Sequence, residues 1–483
     1  MRIQTMARAA LLGVLVSGLP ACTDDLTSIN EDPNAPTDVG AELLLPQAIR
    51  SAVENTFGAT MLLSHTGIWP QHIVQIQYPD EERGNLRPGT MDAFWSNYYA
   101  GSLNDIQLVV DKAREAGNPN YEGIGLIWRA YVYHLVTDLW GDIPYSEALQ
   151  GDADVTPAYD PQDVVYAGLL EDLQQAVAML DANEPSFGSA DNLYAGDVEK
   201  WRRFGNSLRM RLAMRISSVD PTAARAAFVA AEADGGFQSN ADNAAVRWPG
   251  APYENPLHED YLGRDDHGIS GAMVDTLASF DDPRLALYAE PAAEDGEYRG
   301  HYNGYSDAPL SLSWYSRIGD FWRADGAATP TMLMTYSEVL FLRAEAAVLG
   351  WIGGDAGELY EAAIVANMNQ YDTWAPVNGP TDDEIAAYLA NPRVTYDPAN
   401  GLRQIHLQKW ISLYMNGAEA FAEWRRTGVP DLTPGPNLTV SRIPIRFPYP
   451  DTEQSYNNAN LQQAVSRQGG GLDLTTPLWW MSQ

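Results

Sequence analysis

Between Tyr121 and Trp140 the apolar residues Ile124, Ile127, Trp128, Tyr131, Leu135 and Leu139 recur mostly three or four positions apart. That is the period of an α-helix with one buried face. Similar stripes run through Leu43–Phe57, Met91–Ala113, Pro161–Leu180, Lys200–Ile216, Pro330–Leu349 and Gln404–Trp424, while strand-type alternation is scarce. A chain patterned this way must bury many amphipathic helices against one another, so the expected fold is all-α. Two segments refine that expectation. Ala344, Ala356, Tyr360 and Ala363 are spaced 12, 4 and 3 apart, and Leu212, Ala224, Phe228 and Ala231 repeat those intervals after the helix-start signal Asp220-Pro221. Small residues let two antiparallel helices approach, and an aromatic knob fills the space between them, as in tetratricopeptide hairpins. Ordinary Ala-rich hairpins give the same spacing and stay open as an alternative. A length of 483 residues is generous for one compact domain and natural for such an array.

Gly235 to Thr329 departs from this pattern. It is dense in Gly, Pro, Asp, Asn and aromatics, as in RWPGAPYENPLHEDYLGRDDHG and HYNGYSDAPLSLSWYSRIGDFW. Long irregular segments on a rigid scaffold usually carry function, so the ligand-facing excursion is expected over 235–329.

The beginning of the chain suggests where it works. Arg2 and Arg8 precede the short apolar run Ala9–Val16, which has the layout of a secretory signal rather than of a membrane span. Ala21 then precedes Cys22, the one cysteine in the chain, and a polar run follows it. This arrangement resembles a bacterial lipobox, with residues 1–21 as the signal peptide and Cys22 as the acylated N-terminus. Residues 22–40 read as a flexible polar tether and 41–483 as a single α-helical domain. Several acyl chains hold a protein on a membrane stably, so contact with the bilayer is expected through the lipid anchor only.

Lys and Arg total 30 against 64 Asp and Glu, a net charge of −34 that becomes about −36 once Arg2 and Arg8 leave with the signal. Such a field repels nucleic acid, which is excluded as a partner. One cysteine allows neither an internal disulfide nor a thiolate zinc site.

Catalytic and cofactor motifs do not survive inspection. HGISG at His267–Gly271 lacks the residue that a G-x-S-x-G elbow needs between Ser and the second Gly. GIG at Gly123–Gly125 does not complete a dinucleotide fingerprint. His258, Asp265, Asp266 and His267 lie close together without a regular ligand spacing and read as solvated loop polars. No enzyme activity, metal or cofactor is expected.

The 14 Trp and 25 Tyr carry more information. A sugar ring packs its C–H face on an aromatic face, and its hydroxyls need nearby amide or carboxylate partners. IWPQH offers Trp69, Gln71 and His72; FWSNYY offers Trp95, Asn97 and Tyr98; the excursion offers Tyr302, Tyr305, Trp314, Tyr315 and Trp322. Trp95 and Tyr98 also share a helical stripe with Met91 and Ile106, which suits core packing.

DLWGDIPYSEAL (Asp138–Leu149), DDPRLALYAEP (Asp281–Pro291), TYSEVLFLRAEAAVLG (Thr335–Gly350), LQKWISLYMNGAEAFAEWRRTGVP (Leu407–Pro430) and RIPIRFPYPDTE (Arg442–Glu453) occur in an order that resembles the SusD/RagB-type (SusD-like) outer-membrane lipoproteins. Asp24 and Asp25 also resemble the acidic signal that sends such lipoproteins to the cell surface. The resemblance implies tetratricopeptide-like hairpins in a superhelical scaffold, an outer-membrane location facing the cell exterior, and a SusC-like TonB-dependent transporter as partner. It further implies capture of oligosaccharides or peptides for import. The family's ligand residues vary, so the aromatic candidates rest on the residues alone. A surface glycan-degrading enzyme and a tetratricopeptide adaptor binding only protein are the competing readings.

Overall fold

Asn118, Asp197, Asp220, Thr335 and Asp355 each accept hydrogen bonds from backbone N–H groups two or three residues onward, and each opens a helix. These helices are Pro119–Trp140, Val198–Arg215, Pro221–Asp234, Tyr336–Val348 and Ala356–Asn369 in the computed structural model, which describes residues 39–373 and 379–481. The expected signal segment, Cys22 and the expected tether as far as residue 38 lie outside the described residues. Ala41–Gln483 is one compact unit.

Consecutive helices pair as antiparallel hairpins, with Pro119–Trp140 against Gln162–Met179, Val198–Arg215 against Pro221–Asp234, and Tyr336–Val348 against Ala356–Asn369. Leu212, Ala224, Phe228 and Ala231 are all buried in the second hairpin, as are Ala344, Tyr360 and Ala363 in the third. The all-α, tetratricopeptide-like architecture expected from the spacing is the one adopted. The GIG triplet belongs to this packing. A Cβ on Gly125 would lie 2.7 Å from Val110 Cγ2, and one on Gly205 would lie 2.5 Å from Val177 Cγ1, so glycine lets the helices touch.

Three expected helices are broken, the first two for a tertiary reason and the third by local backbone geometry. Met91–Ala113 is interrupted by a π-turn at Asn97–Leu103, which buries both Tyr98 and Leu103 and brings Ser102 Oγ within 2.6 Å of the Ala48 carbonyl. Pro330–Leu349 begins as a strand, Thr331–Met334, because that segment pairs with Ala244–Val246. The helix starts only after the Thr335 cap. Gln404–Trp424 divides into Gly401–Ser412 and Gly417–Thr427, with Met415 in a left-handed conformation (φ 66°) and Asn416 capping the second helix.

A buried ion network ties five helices together. Arg211 forks onto Glu338 at 2.7 Å through both Nε and Nη2, and Arg215 Nη2 donates to Glu419 at 2.6 Å. Arg215 also lies 3.3 Å from Asp138. Lys409 meets Glu423 at 3.0 Å, and Arg426 bridges Glu423 and Glu345 at 2.7 Å each. Glu345, His406 and Glu423 bring ligand-type atoms within 4.8 Å of one another. Arg426 and Lys409 already neutralise those carboxylates, so the cluster reads as part of the ion network rather than as a metal centre.

Candidate functional site

The excursion is held by a small antiparallel sheet in the order Ile73–Gln75, His267–Ile269, Arg317–Ile318, Ala289–Glu290. Its first strand comes from the segment after IWPQH, so the sheet joins the N-terminal helices to the excursion. Where they meet, a groove of about 500 Å³ opens. Its walls carry Gln75, Gln77, Tyr78, Glu81, Arg87, Asp260, Arg264 and Asp266.

The groups in this groove are held rather than loose. Glu81 takes a bond from Gln75 Nε2 at 3.0 Å and lies 3.2 Å from Arg87 Nε. Arg264 Nε donates to Asp266 at 2.7 Å, and its guanidinium sits 5.0 Å from the centre of the Tyr78 ring. Tyr78 is 54 % exposed at the lip, with its backbone left-handed at φ 54°. Burial pushes the Asp260 carboxyl up, because its charged form is partly removed from water. The Ser64 hydroxyl and His267 Nε2 lie 3.1 Å apart. A second trough of about 710 Å³, lined by Glu54, Asn55, Asn97 and small residues such as Gly58 and Gly101, shares Ala59, Thr60 and Thr90 with the first. The two adjoin along these shared residues as one channel, mainly polar in the first trough and mixed polar and apolar in the second.

The structure distributes the aromatic candidates unevenly. Trp69 is buried, 5.1 Å from Phe421 and 5.3 Å from Phe447 between ring centres. Gln71 is buried and donates to the Thr433 carbonyl at 2.9 Å, and His72 is buried 4.8 Å from Trp410. Trp95 packs on Trp140 at 5.3 Å, and the Tyr98 and Thr56 hydroxyls lie 2.8 Å apart. Trp322 is buried among Phe321, Tyr288 and Tyr414. These six sit in the interior. Trp95 and Tyr98 take the core packing that their helical stripe suits rather than a ligand face. Trp69, Gln71, His72 and Trp322 correct the expectation of a ligand face, because the rings find more apolar surface inside than at the rim and Gln71 finds a backbone carbonyl partner. Asn97 remains exposed, in the trough, with its amide 3.2 Å from Asn55 Oδ1.

Of the remaining excursion candidates, Tyr302, Tyr305 and Trp314 face outward. Tyr302 and Tyr305 are 45 % and 49 % exposed, with ring centres 5.8 Å apart, and the Tyr302 hydroxyl donates to Asp275. Trp314 is 41 % exposed, with the Arg299 guanidinium 3.8 Å over its ring. Tyr315 is half-buried, 5.1 Å from His301. Buried Glu82 accepts from Asn303 Nδ2 and Gly304 N, both at 3.1 Å, and so clamps the Tyr302–Tyr305 turn to the segment carrying Tyr78 and Glu81.

The charged cluster of the excursion also resolves. Asp265 pairs with Arg317 and Arg323 at 2.7 Å each, and His258 bonds the Arg323 carbonyl, so these residues brace the excursion. Sequence reasoning missed Tyr78, Arg87, Asp260 and Arg264. The one signal for them was the density of charge in YPDEERGNLR and HEDYLGRDD, without any periodicity to show which groups face a cavity.

A profile of the family described as "SusD-like: starch-binding associating with outer membrane" matches residues 33–450. The chain belongs to the SusD-like family. Its fold superposes on a solved chitin-binding protein with TM-score 0.82 and 29% identity, covering 92% of this chain and 99% of that one. A chitin-binding SusD homologue from Flavobacterium johnsoniae matches with TM-score 0.77 and 28% identity, covering 90% and 98%. A SusD homologue from Bacteroides fragilis matches with TM-score 0.79 and 26% identity, covering 92% and 99%. Among curated proteins, none matches the chain. The two chitin-binding structures are described as binding proteins.

The histidines of this SusD-like protein make a pH prediction. Burial pushes His65 down to about 4, and His72 and His134 down to about 3. Each is neutral when folded and titrates near 6.5 when unfolded, so the unfolded chain binds more protons from pH 6.5 down to about 4 for His65 and about 3 for His72 and His134. The stabilisation is complete above pH 6.5 and is lost as the pH falls through that window. His72→Gln should therefore lose about 2 kcal/mol less than the parent between pH 7 and pH 5, measured by urea unfolding at both values. Equal losses in the two proteins would refute the assignment.

Proposed function

We propose that this chain is a cell-surface binding lipoprotein, anchored through Cys22, that captures an oligosaccharide and delivers it to a SusC-like TonB-dependent transporter. The observation that carries the reading is the mainly polar first trough of the channel, with the exposed Tyr78 ring at its lip. Carboxylate, guanidinium, amide and hydroxyl groups match sugar hydroxyls, and the phenol ring offers a face for C–H packing. The first trough exposes mainly polar surface, which suits sugar hydroxyls better than apolar peptide side chains. Tyr302, Tyr305 and Trp314 would form an outer platform on the linked excursion. Chitin-binding neighbours make N-acetylglucosamine oligomers the first probes.

The test is calorimetry with the full chain carrying Cys22→Ser, titrated with an N-acetylglucosamine hexamer, maltoheptaose and a mixed peptide set. A saturable glycan signal is expected, and Tyr78→Ala should weaken it about tenfold, which corresponds to about 1.4 kcal/mol. Tyr302→Ala with Tyr305→Ala should weaken long oligomers more than short ones. Binding of peptides alone would sink the glycan reading. Glycan binding that arises only after the transporter is added would move the site to their shared interface.

A further inference from the structure

Trp479 is 37 % exposed on the wall of a cavity of about 430 Å³, a volume typical of small-ligand sites. This cavity shares no lining residue with the channel. We propose that it is a second carbohydrate subsite, taking neutral sugar rings against the Trp479 indole; the proposal rests on the glycan-capture reading above.

The indole is presented on a fixed support. Leu478 and Trp480, its chain neighbours, are buried and anchor the segment on both sides. The Trp479 backbone N–H donates to Gln162 Oε1 at 3.0 Å, and the indole lies 6.2 Å from the buried Tyr166 ring. A ring held in this way loses little freedom when a sugar stacks on it. Polar groups converge beside it. Arg467 commits Nε to Asp142 at 3.0 Å and Nη2 to the Tyr159 carbonyl at 2.7 Å, which orients the remaining guanidinium edge as a donor. Asp163 adds an exposed carboxylate as acceptor. One donor, one acceptor and an aromatic face suit hydroxyls and a C–H surface. Two carboxylates against one guanidinium disfavour an acidic sugar.

The test uses the full chain with Cys22→Ser, labelled with 5-fluorotryptophan and followed by fluorine NMR. Trp479→Phe assigns the Trp479 resonance. Titration with the N-acetylglucosamine trimer or maltotriose should shift that resonance saturably, with a dissociation constant on the order of 1 mM. The shift should persist in Tyr78→Ala protein, and Asp163→Ala should weaken it at least about threefold, the usual size of one lost polar contact. A resonance unmoved by either sugar, while channel binding persists in calorimetry, overturns the subsite alone. Absence of sugar binding at either place overturns both readings.

Discussion

Glu419→Ala should lower the free energy of unfolding by about 3–5 kcal/mol, the range seen when one member of a buried ion pair is removed. Glu419 receives Arg215 Nη2 at 2.6 Å and lies 3.5 Å from Arg211 Nε. Both arginines are buried, so neither can turn to water when the carboxylate is lost. Burial pushes the Glu419 carboxyl up, but Arg215 and Arg211 outweigh it and hold the group at about 2. A depressed acid contributes stability that is present above its unfolded value near 4.5 and is lost as the pH falls toward 2. The cost of the substitution should therefore be largest at neutral pH and shrink in acid. Urea unfolding at pH 7 and pH 3 measures both. A loss under about 1 kcal/mol at pH 7, the value of an exposed pair, would show that the network is not buried as described.

Trp69→Ala should cost about 3–5 kcal/mol of stability and leave the glycan affinity of the folded protein unchanged. The indole is enclosed by His65, Phe421 and Phe447, and its Nε1 reaches the Glu81 carbonyl at 3.4 Å. Alanine there leaves a cavity that neighbours on three separate elements cannot close. Thermal unfolding and calorimetry on the same sample separate the two effects. A variant of normal stability with weakened glycan binding would return Trp69 to the ligand face where the IWPQH motif first placed it.

Trp69 marks where sequence reasoning stopped. The sequence offers both Trp69 and Trp314 as ligand-facing indoles, yet one is 1 % exposed and the other 41 %. Whether an aromatic faces a ligand depends on which distant surface covers it. For Trp69 that cover is Phe421 and Phe447, more than 350 residues away. Tyr78 and Arg264 were hidden for the same reason, since their groove exists only when strand Ile73–Gln75 pairs with His267–Ile269.

What the sequence determined by itself is local in origin. Asp220-Pro221 starts a helix because its side chain accepts the Ala223 N–H within one turn. The Leu212–Ala231 spacing pairs two helices because the contacts span fewer than twenty residues. Helices, hairpins and the all-α class follow from such short-range terms. Tertiary structure alone decided the rest. The strand at Thr331–Met334 needs its partner at Ala244–Val246, the π-turn at Asn97–Leu103 needs Ala48, and the pairing of Arg211 with Glu338 needs two hairpins brought together. Burial and ion pairing depend on partners far along the chain, and one sequence without its fold does not name them.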